Sequence, residues 1–477
     1  MLFNSFEFLL FLPVVFLLHW KLCKSRQSRN ILLIIASYVF YGWWNPVFLL
    51  LIFFTTVCSF YSGLLIRRYR ENRSRALSAL WTNVLINLVI LGVFKYFNFF
   101  SQSFADAMTV VGWDVDAVTL DLILPVGVSF YTFQALSYSI DVYRKLTEPT
   151  KDFIAFTVFI AFFPQLVAGP IERSTNLLPQ FLNTRTFDYK RAVEGMRLIL
   201  WGLFKKMIVA DNAAPVVDSI FGDYSYAGAQ NLWMGAFLFT FQIYCDFSGY
   251  SDIAIGVARL FGVELMRNFR FPYFSKGMND FWKRWHISLT SWFRDYVYIP
   301  LGGNRKGKVR TTANTFLVFL TSGLWHGANY TFIVWGAYHA LLQLPHIFFR
   351  KQRAGEGVKA KTVPLYFRDT FLMGVTFLLV MTGWIIFRSD HLADAFHYIR
   401  LMFSAPVTEV VKAKTALSYC LIMLIAEWFS RNKETPFDFS GTGLTRFKTV
   451  RWTIYIVTFM FILLISGTAE QFIYFLF

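Results

Sequence analysis

The sequence predicts an all-α polytopic membrane protein: one membrane-embedded domain over residues 1–477, with about eleven crossings plus re-entrant and interfacial helices around a central tunnel or funnel. Three observations predict it. Of the 477 residues 56% are hydrophobic, and the mean hydropathy is +0.46. Charged residues make up 16%, where a soluble chain of this kind carries about 25%. Apolar runs near the roughly 20 residues that cross a bilayer recur along the whole length. These are solid runs, whereas a membrane β-barrel shows short alternating segments.

The net charge of +17 has two readings. In a soluble chain it would point to nucleic acid. Here Lys and Arg gather in short loops between apolar runs, the pattern of cytoplasmic loops, so the charge reads as topology with some anionic-lipid contact and no nucleic acid. The four cysteines, Cys23, Cys58, Cys245 and Cys420, form no CxxC pair, which suggests neither a zinc site nor a disulfide framework. No metal-ligand cluster appears.

The elements follow in order. The first apolar run carries Glu7 and lacks a basic leader or a small-residue cleavage site, so it reads as a retained helix and not a cleaved signal. Lys21, Lys24, Arg26 and Arg29 follow it, placing its far end inside. The basic clusters at 21–29 and 67–75 enclose roughly 37 residues, enough for two crossings at about 1.5 Å per residue. Their turn falls at Gly42-Trp43-Trp44-Asn45-Pro46, where Gly and Pro break the helix. The run 80–100 exits again. Segment 101–121 holds Asp106, Asp114, Asp116 and Asp121 without Lys or Arg and reads as an external loop; 122–141 returns to Arg144 and Lys145.

Two prolines and a glycine interrupt the run FFPQLVAGP at 162–170. Irregular backbone at that depth requires surrounding protein or a water-filled cavity. Gln242, Asp246, Ser248 and Asp252 fall within one apolar run, either as glue between helices or as cavity lining. Segment 262–310 is too polar to span simply and reads as interfacial and re-entrant helices, with a tight turn at Leu301-Gly302-Gly303-Asn304-Arg305. Further spans follow at 312–349, 367–387, 416–429 and 452–477, and the basic loop 350–361 reads as cytoplasmic.

Residues 281–338 carry the chemistry. They place His286 and His326 inside apolar surroundings. Imidazole takes and returns a proton near pH 7, and an ionisable group at membrane depth is a functional candidate by default. His326 lies sixteen residues past Arg310, about 24 Å along a helix and so past the midplane of a hydrocarbon core about 30 Å thick. Gly323 and Gly327 flank Leu-Trp-His and allow a break in the helix there. His19, His339 and His346 read as structural or interfacial, and His391 and His397 as part of a loop-like stretch. No G-x-S-x-G elbow, Walker loop, G-x-G-x-x-G or HExxH is present, which leaves hydrolase triads and nucleotide chemistry without support.

At FWKRWHIS, WFRDYVYIPLGGNR, SGLWHGANYTFIVWGAYH and FFPQLVAGPIER the sequence resembles the membrane-bound O-acyltransferase family, in its bacterial alginate O-acetyltransferase branch. The opening FNSFEFLLFLPVV, SYVFYGWW and the terminal QFIYFLF fit as well, so the likeness covers essentially the whole chain. The resemblance implies that the family's histidine is His326 and the second, upstream histidine of this branch is His286. It implies a cytoplasmic acetyl thioester donor, acetyl-CoA or another, with no bound cofactor. It also implies a periplasmic or membrane-anchored partner of the SGNH-hydrolase type, an exopolysaccharide synthesis complex, and residence in the bacterial inner membrane. The chemistry agrees with this. A hydroxyl is too weak a nucleophile at pH 7 until a base takes its proton; His326 is that base, and His286 orients the donor, stabilises charge or relays protons. Trp325 and Tyr330 are expected to wall the pocket, and Asn329 to hold the thioester or orient His326. Arg284, Arg294 and Lys283 either meet the diphosphate of a CoA-like donor or are solvated topology charge. Peptidoglycan O-acetylation and D-alanyl transfer to teichoic acid stand as alternatives within the family. A polysaccharide or ion transporter, or a structural scaffold, stands outside it.

Overall fold

The computed structural model describes residues 1–349, 367–439, 443–467, 470 and 472–473. The basic loop 350–361 and most of the terminal QFIYFLF stretch lie outside the described residues. Among the described residues every regular element is helical. Five described helices are long and apolar enough to cross a membrane: Phe48–Arg68, Arg73–Val110, Tyr330–Phe349, Phe367–Arg388 and Lys448–Ile465. These five are fewer than the expected eleven or so crossings; some other apolar runs are cut into pieces such as Phe153–Ala161 and Phe163–Leu166, while Ala229–Leu260 and Gly307–His326 are continuous.

The chain divides into two compact units. The first is Met1–Phe204, Gly249–Met266 and Phe437–Met460; the second is Lys205–Ser248, Arg267–Pro436 and Phe461–Phe477.

In the first unit, helix Arg26–Gly42 starts at a reciprocal cap between Ser25 and Ser28 and ends at the expected Gly-Trp-Trp-Asn-Pro turn before Phe48–Arg68. Helix Arg73–Leu91 continues through a π-turn at Gly92–Tyr96 into Phe97–Val110. The expected external loop at 101–121 is therefore helical over its first ten residues. No Gly or Pro breaks the helical run until Gly112, whose φ of +90° ends it. Buried amides bind neighbouring helices, as expected where no hydrophobic drive between helices exists in lipid. Asn83 donates to Ser139 at 2.8 Å and accepts from Ser59 at 3.2 Å. Gly195 and Gly256 bring two backbones together; a Cβ on either would lie 2.6 or 2.4 Å from the other's carbonyl oxygen.

The irregular stretch around 162–170 is buried, and protein surrounds it. The Phe163 N–H donates to Ser37 Oγ at 3.0 Å, and Gln165 Nε2 to Gln134 Oε1 at 2.8 Å. These bonds satisfy groups that hydrocarbon could not.

The second unit contains the histidines. Segment 267–306 folds as the expected series of short helices: Pro272–Phe274, Met278–Trp282 and Ile287–Phe293. Gly302 and Gly303 adopt φ of +102° and +54° in the tight turn. Helices Gly307–His326 and Tyr330–Phe349 form the expected hairpin. They approach closely because of two glycines: a Cβ on Gly323 would sit 2.1 Å from Phe332 O, and one on Gly336 2.3 Å from Phe319 O. The stretch around His391 and His397, expected to be loop-like, is the helix Leu392–Ser404. Its inward residues Tyr398 and Met402 join a core with Ile220, Leu232, Ala236, Met381 and Ile385. Asp246 is resolved as glue: Lys206 Nζ lies 2.7 Å from Asp246 and 2.8 Å from Asp211, all nearly buried.

Candidate active site

His326 is the last residue of a twenty-residue helix. The helix stops there because Gly327 turns fully extended, at φ −167° and ψ 159°. A Cβ at 327 would lie 2.1 Å from the Phe332 ring, so glycine is what lets that ring close beneath the helix end. The buried imidazole stands edge-on to Trp325 at 4.9 Å, Trp335 at 5.2 Å and Phe387 at 5.4 Å between ring centroids.

His286 arrives differently. It precedes the short helix Ile287–Phe293 in the left-handed region, at φ 43° and ψ 55°. Such a backbone costs a non-glycine residue about 1–3 kcal/mol and persists only where its surroundings enforce it. Two backbone bonds do so: Ile287 N–H donates to Asn268 O, and Arg270 N–H to Arg284 O, each at 2.9 Å. The ring meets Phe247 edge-on at 4.6 Å and lies parallel to Phe269 at 6.5 Å.

The two imidazole centroids lie 6.5 Å apart, and Trp325 packs 5.9 Å from His286. The arrangement suits proton abstraction from a hydroxyl by one imidazole, with the second positioned to orient it or share its charge.

The other expected site residues divide. Trp325 is buried and walls the pair. Tyr330 does not, because it starts the next helix and is 52% exposed. Asn329 is not bound to either histidine: its Nδ2 donates to Asp390 O at 2.8 Å and its Oδ1 accepts from Thr331 N–H at 3.0 Å, a helix-start role. Arg284 pairs with Asp280 at 2.9 Å and Arg294 with Asp295 at 2.7 Å, while Lys283 is exposed. Among the described residues no three His, Cys, Asp or Glu side chains gather in a way that holds a metal.

The sequence reads His339 as structural or interfacial, and the structure buries it among aromatic rings. Its ring stands 5.0 Å from Trp282 and 4.9 Å from Trp335, and Trp335 in turn borders His326. Among the described residues Thr331 Oγ1, Trp335 Nε1, both His339 nitrogens and Gln343 Nε2 are buried without a hydrogen-bond partner. Spacing by four puts them along one helix face, a signal present in the sequence but masked by the apolar residues between.

Comparison with known proteins shows the family. A family model, MBOAT, the membrane-bound O-acyltransferase family, matches residues 31–389. The chain belongs to the membrane-bound O-acyltransferase family. It is 43% identical over 85% of its length, and 75% of the relative's, to a Pseudomonas syringae pv. tomato protein named "Probable alginate O-acetylase AlgI". It is 34% identical over 84% of its length, and 80% of the relative's, to a Helicobacter pylori peptidoglycan O-acetyltransferase. A Bacillus subtilis teichoic acid D-alanyltransferase is 30% identical over 56% of the chain and 69% of its own length. As a member of the O-acyltransferase family the chain is an acyltransferase and a multi-pass membrane protein. Both histidines fall inside the matched family region.

Proposed function

We propose that this acyltransferase takes an acetyl group from a cytoplasmic thioester, acetyl-CoA or an acetylated carrier, and passes it outward across the bacterial inner membrane. The acceptor it finally serves is an exopolysaccharide of the alginate or acetylated-cellulose kind, reached through a periplasmic or membrane-anchored SGNH-type acetyltransferase. The name borne by the relative at 43% identity supports O-acetylation of such a polymer. The observation that carries the chemistry is the histidine pair, 6.5 Å apart behind one aromatic wall.

His326 takes the proton of the acceptor hydroxyl as its oxygen attacks the thioester carbonyl. A C–O bond forms, the C–S bond breaks, and the leaving sulfur takes that proton back from the imidazolium. His286 holds the hydroxyl or the developing charge opposite. The face carrying Thr331, Trp335, His339 and Gln343 supports entry of the donor from the end opposite His326, since an amide-bearing arm would satisfy those buried groups. Arg284 and Arg294 would exchange carboxylate partners for a donor diphosphate.

The test is a strain whose own copy is replaced by His326→Ala. The protein should insert at the normal level, while alkali-labile acetate on the exopolysaccharide falls by about 10²–10⁴-fold. Normal acetylation would refute the role of His326. Peptidoglycan O-acetylation is the second reading, favoured by the 34% relative; acetate released from purified peptidoglycan instead of exopolysaccharide would select it. D-alanine release would select the teichoic acid reading.

A further inference from the structure

We propose that Asn268 is a positioning residue for His286: it grips the two residues that follow the histidine and so holds the imidazole against Phe247 and toward His326. This rests on the reading of His286 given above. The helix that His286 opens has no side-chain cap, since His286 makes no such bond. The first-turn N–H groups of a helix need partners from elsewhere. Asn268 supplies one from its backbone, accepting the Ile287 N–H at 2.9 Å. Its side chain supplies the next hold: Oδ1 accepts from Ser288 Oγ at 2.6 Å. One residue thus binds two consecutive positions, 287 and 288.

The grip is buried. Asn268 and His286 are each 1% exposed and Ser288 is 0% exposed. The neighbouring Phe269 ring lies between Trp285 at 5.0 Å and Phe247 at 5.0 Å, and the Arg270 N–H closes the strap on Arg284 O. Segment 268–270 therefore runs alongside 284–288 and pins it at both ends. The left-handed backbone of His286 is the point between those pins. Release of Ser288 lets residue 286 relax toward an ordinary helical or extended conformation, which swings the ring away from Phe247.

The test measures carbethoxylation of individual histidines by diethyl pyrocarbonate, read by peptide mass spectrometry on the full chain in detergent, beside polymer acetylation in cells. His19 and His339, both fully buried, are internal controls. Asn268→Ala and Ser288→Ala should raise modification of His286 about tenfold, the shift expected from one lost buried hydrogen bond, with His19 and His339 as in the wild type. Acetylation should fall with it, and Ser288→Thr, which keeps the hydroxyl, should restore both. If Asn268→Ala does not accumulate, Ser288→Ala decides alone. A parallel rise at all three histidines marks general loosening and overturns the proposal, as does unchanged modification of His286. Raised His286 modification with normal acetylation upholds the grip and overturns instead the role given to His286.

Discussion

His286 and His326 come within 6.5 Å of each other by opposite routes. His326 sits at the end of a long, regular helix, and its position follows from where that helix stops. His286 sits on a strained residue between short helices, and its position follows from what straps it. The first is a framework built mostly from local geometry, with a glycine at the break. The second depends on residues about twenty positions upstream. One imidazole is thus fixed by a helix end, the other by backbone that neighbouring segments enforce.

The largest break in this comparison comes from the imidazoles themselves. His326→Ala should reduce polymer acetylation by about 10²–10⁴-fold, and His286→Ala by less, about 10²-fold, if its part is orientation or charge sharing; the ratio of residual acetate in the two strains ranks the roles. Next is the wall behind His286. Lys206→Met leaves Asp246 and Asp211 buried without their cation, at a cost of about 3–5 kcal/mol. Thermal melts in detergent should register it, together with lost acetylation, because Phe247 adjoins Asp246. Gly323→Val attacks the framework under His326, where a Cβ would meet Phe332 O at 2.1 Å. Overpacking costs about 1–3 kcal/mol or more, so the melt should fall while His286 keeps its protection from carbethoxylation. The smallest effect belongs to Arg284→Ala. Its partner Asp280 is only partly buried, and such pairs contribute about 0–1 kcal/mol. Stability should hardly change, and any rise in apparent KM for the donor reports the diphosphate contact.

Much of the framework was legible in residue order. Arg310, the apolar run after it and Gly327 locate a helix ending at His326, and the hairpin partner follows from the next apolar run. The Gly-Trp-Trp-Asn-Pro turn and the double-glycine turn were legible for the same reason: Gly and Pro act on their own backbone. The helix through 101–110 was misread because four aspartates suggested a loop, although nothing there breaks a helix. Tyr330 and Asn329 were assigned to the pocket because they neighbour His326 in sequence, yet the helix start they share turns Tyr330 outward and commits the Asn329 amide to a cap. The pairing of Lys206 with Asp246 joins positions far apart in the chain and leaves no periodic trace.

The class of the protein, its membrane residence and the place where one helix gives out at an imidazole were determined by the order of residues alone, because hydropathy and chain breaks act within a turn or two. Which imidazole faces it, which aromatic rings enclose the pair, and that Asn268 grips the chain beyond His286 were decided only by tertiary structure. Those contacts join segments that diffuse independently until the core closes, and no local preference records them.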